Sequence, residues 1–276
     1  MQADLEHAKV RPPAVAGRFY PGDPKRLRAE VAELLAGAPA SANASTKALI
    51  VPHAGYVYSG QVAATAFAGL QDRANAIKRV VLIGPAHYVP FAGIALPTVD
   101  AFETPLGQVP LDRDALALIA GLPSVTAADA PHVPEHALEV ELPFLQARLN
   151  DFALVPLLVG ESSPKEVADV LRQLWGGPET LVVVSSDLSH YHDYHTARRL
   201  DSATAAAIEC ADWARLRPGD ACGFLAVAGL LVEVERRGLR AKRLLMCNSG
   251  DTAGSHDRVV GYGTWAFEEE VQHAPG

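Results

Sequence analysis

The stretch ALIVPHAGYVYSG (48–60) places four consecutive apolar residues ahead of Pro52, His53, Ala54 and Gly55. An apolar run of this length closed by turn formers reads as a strand buried on both faces, and such strands belong to parallel sheets covered by helices. The same pattern recurs in VVLIGPAHY (80–88), LVVVSSDLSHY (181–191) and LLMCNSGD (244–251). Helical periodicity fills the intervals. Asp23-Pro24 reads as a cap and first-turn proline, and Leu27, Val31, Leu34 and Leu35 then recur at helical spacing until Gly37. The alternation predicts an α/β fold: one three-layer domain over residues 1–276, its central sheet mostly parallel or mixed, with helices on both faces. Strands are expected at 48–51, 79–83, 94–96, 153–158, 180–184, 242–246 and 259–267. Helices are expected at 24–36, 60–69, 112–121, 136–149, 164–175, 194–210 and 221–237, and residues 38–46 read as a flexible loop. The last run, VVGYGTWAF (259–267), suits an edge or antiparallel strand.

With 49% hydrophobic and 20% charged residues, the chain has the apolar content a packed core needs, and disorder is excluded. No apolar run is long enough to span a bilayer. Met1 to Lys9 lacks a basic patch followed by an apolar stretch, so the expected location is the cytoplasm. A net charge of −8 disfavours nucleic acid and anionic membranes as partners, which leaves a small molecule or a peptide. The three cysteines, Cys210, Cys222 and Cys247, form no C-x-x-C pair and suit neither a disulfide framework nor a zinc ribbon.

Four strands end in groups able to bind metal or move protons: His53, His87, the Asp187 to His190 segment, and Cys247 to Asp251. In open α/β sheets ligands bind beyond the carboxyl ends of the strands, so these segments should meet in one crevice. A single histidine there is usually structural; His53 and His87 occupy equivalent positions after two strands, which points to a shared metal. His190, nearest its strand, is placed as a general acid/base with Asp187 orienting one ring nitrogen, while His192 and His195 read as solvated. His136 and Glu139 lie one helical turn apart and could face the same cleft. Cys222 falls at the start of the helix expected at 221–237, where backbone dipoles would favour thiolate, although a small buried hydrophobe would look the same. GYGTWA (261–266) matches a dinucleotide motif by letters but sits inside the last strand, and no phosphate loop, H-E-x-x-H or nucleophile elbow is present.

Seven segments run in order along nearly the whole chain: RPPAVAGRFYPGDP (11–24), PHAGYVYSG (52–60), GPAHYVPFAGIAL (84–96), EHALEVELPFLQ (135–146), VVSSDLSHY (183–191), ACGFLAVAGLL (221–231) and NSGDTAGSHDRVVGYG (248–263). Together they resemble the Memo family, the B component of the AmmeMemoRadiSam group, related in fold to class III, LigB-type extradiol dioxygenases. The resemblance implies a LigB-like domain holding iron, most of all Fe2+, with copper or zinc as further candidates. It places the metal on His53 and His87, with Cys222 where the dioxygenases carry a carboxylate. Strand-end position alone points to Cys247, but that residue lies outside the matching motif. His190 takes the place of the proton-transferring histidine, with Asp187 beside it, and Tyr56, His136, Glu139, Asn248 and Asp251 shape the substrate side. A functional link to AMMECR-like and radical SAM proteins follows from the same grouping. Thiolate is softer and more oxidisable than carboxylate, so three classes stay open: an iron-dependent oxidoreductase of dioxygenase type, a metal-carrying or peptide-binding module, and a zinc or manganese hydrolase.

Overall fold

The computed structural model describes residues 9–39 and 45–269. Residues 1–8 and most of the loop read at 38–46 lie outside these. In chain order the elements are β1 (Val10–Arg11), α1 (Pro24–Ala36), β2 (Thr46–Val51), α2 (Tyr56–Ala68), β3 (Arg79–Pro85), β4 (Ile94–Leu96), β5 (Ala101–Thr104) and β6 (Gly107–Pro110). They continue with α3 (Arg113–Ile119), β7 (Val125–Ala127), α4 (Leu142–Arg148), β8 (Ala153–Val159), α5 (Pro164–Leu174), β9 (Thr180–Ser185) and β10 (His190–His192). The last are α6 (Tyr194–Glu209), α7 (Phe224–Arg237), β11 (Arg240–Asn248) and β12 (Val259–Glu268).

The continuous apolar runs become the middle of a nine-stranded mixed sheet, ordered β10-β12-β2-β9-β3-β8-β4-β7, with β11 on the other side of β12. Strands β2, β9, β3 and β8 are mutually parallel. Every residue of β2 and β9 is buried, because helices cover both faces and leave no polar side for alternation. Strand β12 is antiparallel to β2, as expected, but is not an edge: β11 pairs along its other side. Helix α2 lies on β2, β11 and β12 and packs with α1 and α4, whereas α5 packs on α3 and α7, and α6 lies on β11 and β12. Phe67 of α2 stacks on Phe144 of α4, centroids 5.4 Å apart, inside the core.

Three helices start elsewhere than periodicity suggested. Helix α2 begins at Tyr56, whose N–H donates to the Phe19 carbonyl, 2.8 Å away. The helix expected from 136 begins only at Leu142, because Glu139 and Glu141 are each drawn into a buried partnership and the backbone tightens into a 3-10 turn. Helix α7 begins at Phe224 rather than 221, since the amides of Cys222 and Gly223 bond instead to Asp187 and Ser186. A three-stranded sheet, β1-β5-β6, was not foreseen. Its strands span two to four residues, too few for a period to register.

Candidate metal centre

Because β2, β3 and β9 are parallel, the residues that follow them emerge along one edge of the sheet. His53 follows β2, His87 follows β3, and Asp187 follows β9, with His190 opening β10. They line a cleft of about 650 Å³ together with Phe19, Tyr88, His136, Tyr191, His192 and Cys222. Ring centroids of His53 and His87 are 5.2 Å apart, and those of His136 lie 5.4 and 4.9 Å from them. One ligand atom from each of the three lies within 4.8 Å of the others, so the group could hold a metal ion.

Hydrogen-bond bookkeeping fixes how two of these rings present themselves. Ser185 Oγ, with one proton to give, lies 2.6 Å from the Ala137 carbonyl, which can only accept. His53 Nδ1, 2.8 Å from the same Oγ, must therefore be the N–H donor, which leaves the Nε2 lone pair turned toward the cleft. Glu141 Oε1, 3.0 Å from that Oγ, is a second acceptor for the same proton. Burial raises its pKa well above the usual carboxyl range, against the bond with Ser185 and with help from the charge of Asp187. His87 Nδ1 donates to Glu135 Oε1 at 2.9 Å, so its Nε2 is free as well. His136 Nδ1 is 3.1 Å from the same oxygen but misaligned for a hydrogen bond, so its hold is electrostatic. Glu135 also accepts the backbone amides of His87, His136 and Ala137. Burial opposes its charge, yet these contacts with His136 and His87 keep its pKa far below the usual range. Burial, and then the neighbouring His136 and His87, push His53 well below an ordinary imidazole, which keeps it in the neutral form that binds metal.

Cys222 Sγ lies 3.3 Å from His53 Nε2 and accepts the Asp187 amide at 3.2 Å. Gly223 allows this approach: a Cβ there would stand 2.9 Å from the Ser186 side chain. The reading of Cys222 as a first-turn thiol is corrected, for it precedes α7. Burial, and then the charge of Asp187, raise its pKa from 9.0 to about 12 rather than lowering it.

The remaining sequence candidates divide sharply. His190 reaches the cleft, but its Nδ1 donates to the Leu188 carbonyl at 2.8 Å rather than to Asp187, which accepts the His53 amide and is raised by burial. Tyr56 and Glu139 do not line the cleft. Tyr56 is buried with its hydroxyl on the Val140 carbonyl, 2.9 Å away. Glu139 is buried against Arg11 and accepts the amides of Ala14 and Val15 and the Tyr20 hydroxyl. Asn248 and Asp251 line a separate cavity with Cys247. Asn248 accepts the Gly250 amide there, and Asp251 accepts the Asn248 amide and the Tyr194 hydroxyl. Glu135, Ser185 and Glu141 carry no assigned role in the sequence analysis. The signal present was the Glu135-His136 pair and a hydroxyl ending β9.

A family model described as Memo-like protein matches residues 11–266. A MEMO1 family protein of Aquifex aeolicus is 33% identical over 92% of this chain and 97% of its own. Those of Archaeoglobus fulgidus and Methanosarcina barkeri are 34% and 35% identical, covering 94% and 92% of this chain and 99% and 98% of theirs. With the match running through every segment that builds the histidine cleft, the chain belongs to the Memo family.

Proposed function

We propose that the cleft holds iron(II) on His53, His87 and His136, with Cys222 as a sulfur donor beside His53, and that the protein is an O2-dependent oxidoreductase acting on a small phenolic molecule of catechol type. The observation that carries this reading is the meeting of three imidazoles whose ligand atoms lie within 4.8 Å of one another. The donor set fits the ion: His53 and His87 are set as Nδ1–H tautomers with free Nε2 atoms, the arrangement in which a carboxylate or hydroxyl partner orients a metal-binding imidazole. Iron(II), when bound, would relay electrons from an aromatic diol to O2, so that the diol is what is oxidised.

The side chains around it do the rest. His190, its Nδ1–H fixed on Leu188, presents Nε2 as a base for a phenolic proton. Buried Asp187 steadies the resulting imidazolium by charge, and Phe19 closes one side of the cleft. A second reading, a metal-carrying or peptide-binding module without turnover, is favoured by Tyr88 and Tyr191, both exposed at the cleft mouth. Oxygen uptake with iron(II) and catechol separates the two. The first reading expects uptake that falls by about 10²-fold or more in His190→Ala while the metal is retained. Stoichiometric metal with no uptake on any phenol supports the second. Anaerobic ester hydrolysis with zinc would instead point to a hydrolase. Elemental analysis of His53→Ala, His87→Ala, His136→Ala and Cys222→Ser, purified without oxygen, tests the ligand set; undiminished iron in any one removes that residue from it.

A further inference from the structure

A second cavity, of about 310 Å³, abuts the histidine cleft and differs from it in character. Its lining is mostly apolar, with Val89, Phe91, Val159, Phe224, Leu225 and Ala226 among the residues that form it and Glu161 its one charged residue. The two spaces share a wall. Ala86 faces the second cavity and His87 the cleft; Tyr88 faces the cleft and Val89 the cavity; Cys222 lines both. The chain thus passes from one space to the other at three points, and no other described cavity shares a residue of the 85–91 or 221–226 segments. Phe91 is seated by Gly160, where a Cβ would lie 2.9 Å from the phenyl ring and 2.2 Å from its carbonyl oxygen.

We propose that this cavity is a subsite for the apolar arm of a molecule whose polar head lies among the cleft histidines, so that the substrate is amphiphilic: an aromatic head bearing an alkyl or aryl substituent. The nature of the head rests on the function proposed above, whereas the arm rests on the cavity alone. Apolar burial should tighten binding by about three- to fourfold for each methylene that enters.

The test is calorimetric binding of catechol, 4-methylcatechol, 4-butylcatechol and 4-hexylcatechol to the iron(II)-loaded protein without oxygen, with n-propylbenzene titrated into metal-free protein in parallel. Kd should fall by at least about tenfold from catechol to 4-butylcatechol, and n-propylbenzene should bind. Leu225→Asp puts a carboxylate in the first turn of α7, where the helix tolerates it, and Val89→Trp fills the space from a partly exposed loop. Each should flatten the ratio between the longest and shortest catechol to below about twofold and abolish n-propylbenzene binding. No gain with chain length in the wild type, or an equal gain in both variants, overturns the proposal. If catechol itself does not bind but n-propylbenzene binds the wild type and neither variant, the arm site stands and the head-group reading falls. If neither probe binds the wild type, the subsite is refuted.

Discussion

At the scale of the residue, Glu135 organises the cleft more than any candidate read from the sequence. Its carboxylate touches two imidazoles and three backbone amides, so removing it frees both rings to rotate. Glu135→Ala should lower metal affinity by about 10- to 100-fold, measured by competition with a chromophoric chelator; full affinity would show that Glu135 does not orient His87 and His136. Ser185→Ala removes the partner of His53 Nδ1 and should weaken binding in the same assay. Cys222 offers a second residue-level outcome. Held near pKa 12 by burial and by Asp187, it is a neutral thiol in metal-free protein at ordinary pH. Iodoacetamide at pH 8 should label exposed Cys210 and leave Cys222 unmodified, as peptide mass mapping would reveal. Rapid labelling of Cys222 at that pH would contradict the raised pKa described.

Among the elements, the turn that carries Glu135 is pinned from the far side by Arg11 of β1. Its guanidinium donates to the carbonyls of His132 and Glu135 and to the Glu139 carboxylate. Arg11→Met alone leaves a buried carboxylate without its counter-charge and should cost about 3–5 kcal/mol in urea unfolding, whereas Arg11→Met with Glu139→Leu should restore part of that loss. An additive double variant would mean that the two act independently. This turn is also where the sequence reads poorly. The strands ending in His53, His87 and Ser185 are legible because buried parallel strands leave an unbroken apolar signature, and their order implies a common crevice. Cys222 is found through its motif. Glu139 misleads because helical spacing puts it beside His136, while the real backbone is a 3-10 turn that sends it to Arg11. Tyr56 and Asp251 follow strands as the histidines do, but their partners, Val140 and Tyr194, are set by packing between elements distant in sequence, while Asn248, at the end of β11, folds back on Gly250 in a local cap. No local pattern encodes that packing.

For the whole molecule, buried histidines tie stability to pH. His132 is lowered to about 4, chiefly by burial, with its Nε2 on the Ala95 carbonyl opposing the shift. Unfolded chain takes a proton below about 6.5 that the native protein refuses until about 4. The contribution is therefore complete above pH 6.5 and is lost as pH falls through the window from 6.5 to 4, on the order of 3 kcal/mol for this residue. The Tm of metal-free protein should drop across that window, and less steeply in His132→Gln; parallel profiles would exclude His132 as the cause. Among the described residues no helix is long and apolar enough to cross a membrane. The parallel order β2-β9-β3 has a consequence for how the protein matures. The three imidazoles come from segments that meet only after crossovers have closed, so a growing or collapsed chain offers a cation no ready-made cage. On the function proposed above, loading is then a late event, and stopped-flow traces should show refolding at one rate with or without iron(II) while the return to the unfolded ensemble slows severalfold in its presence.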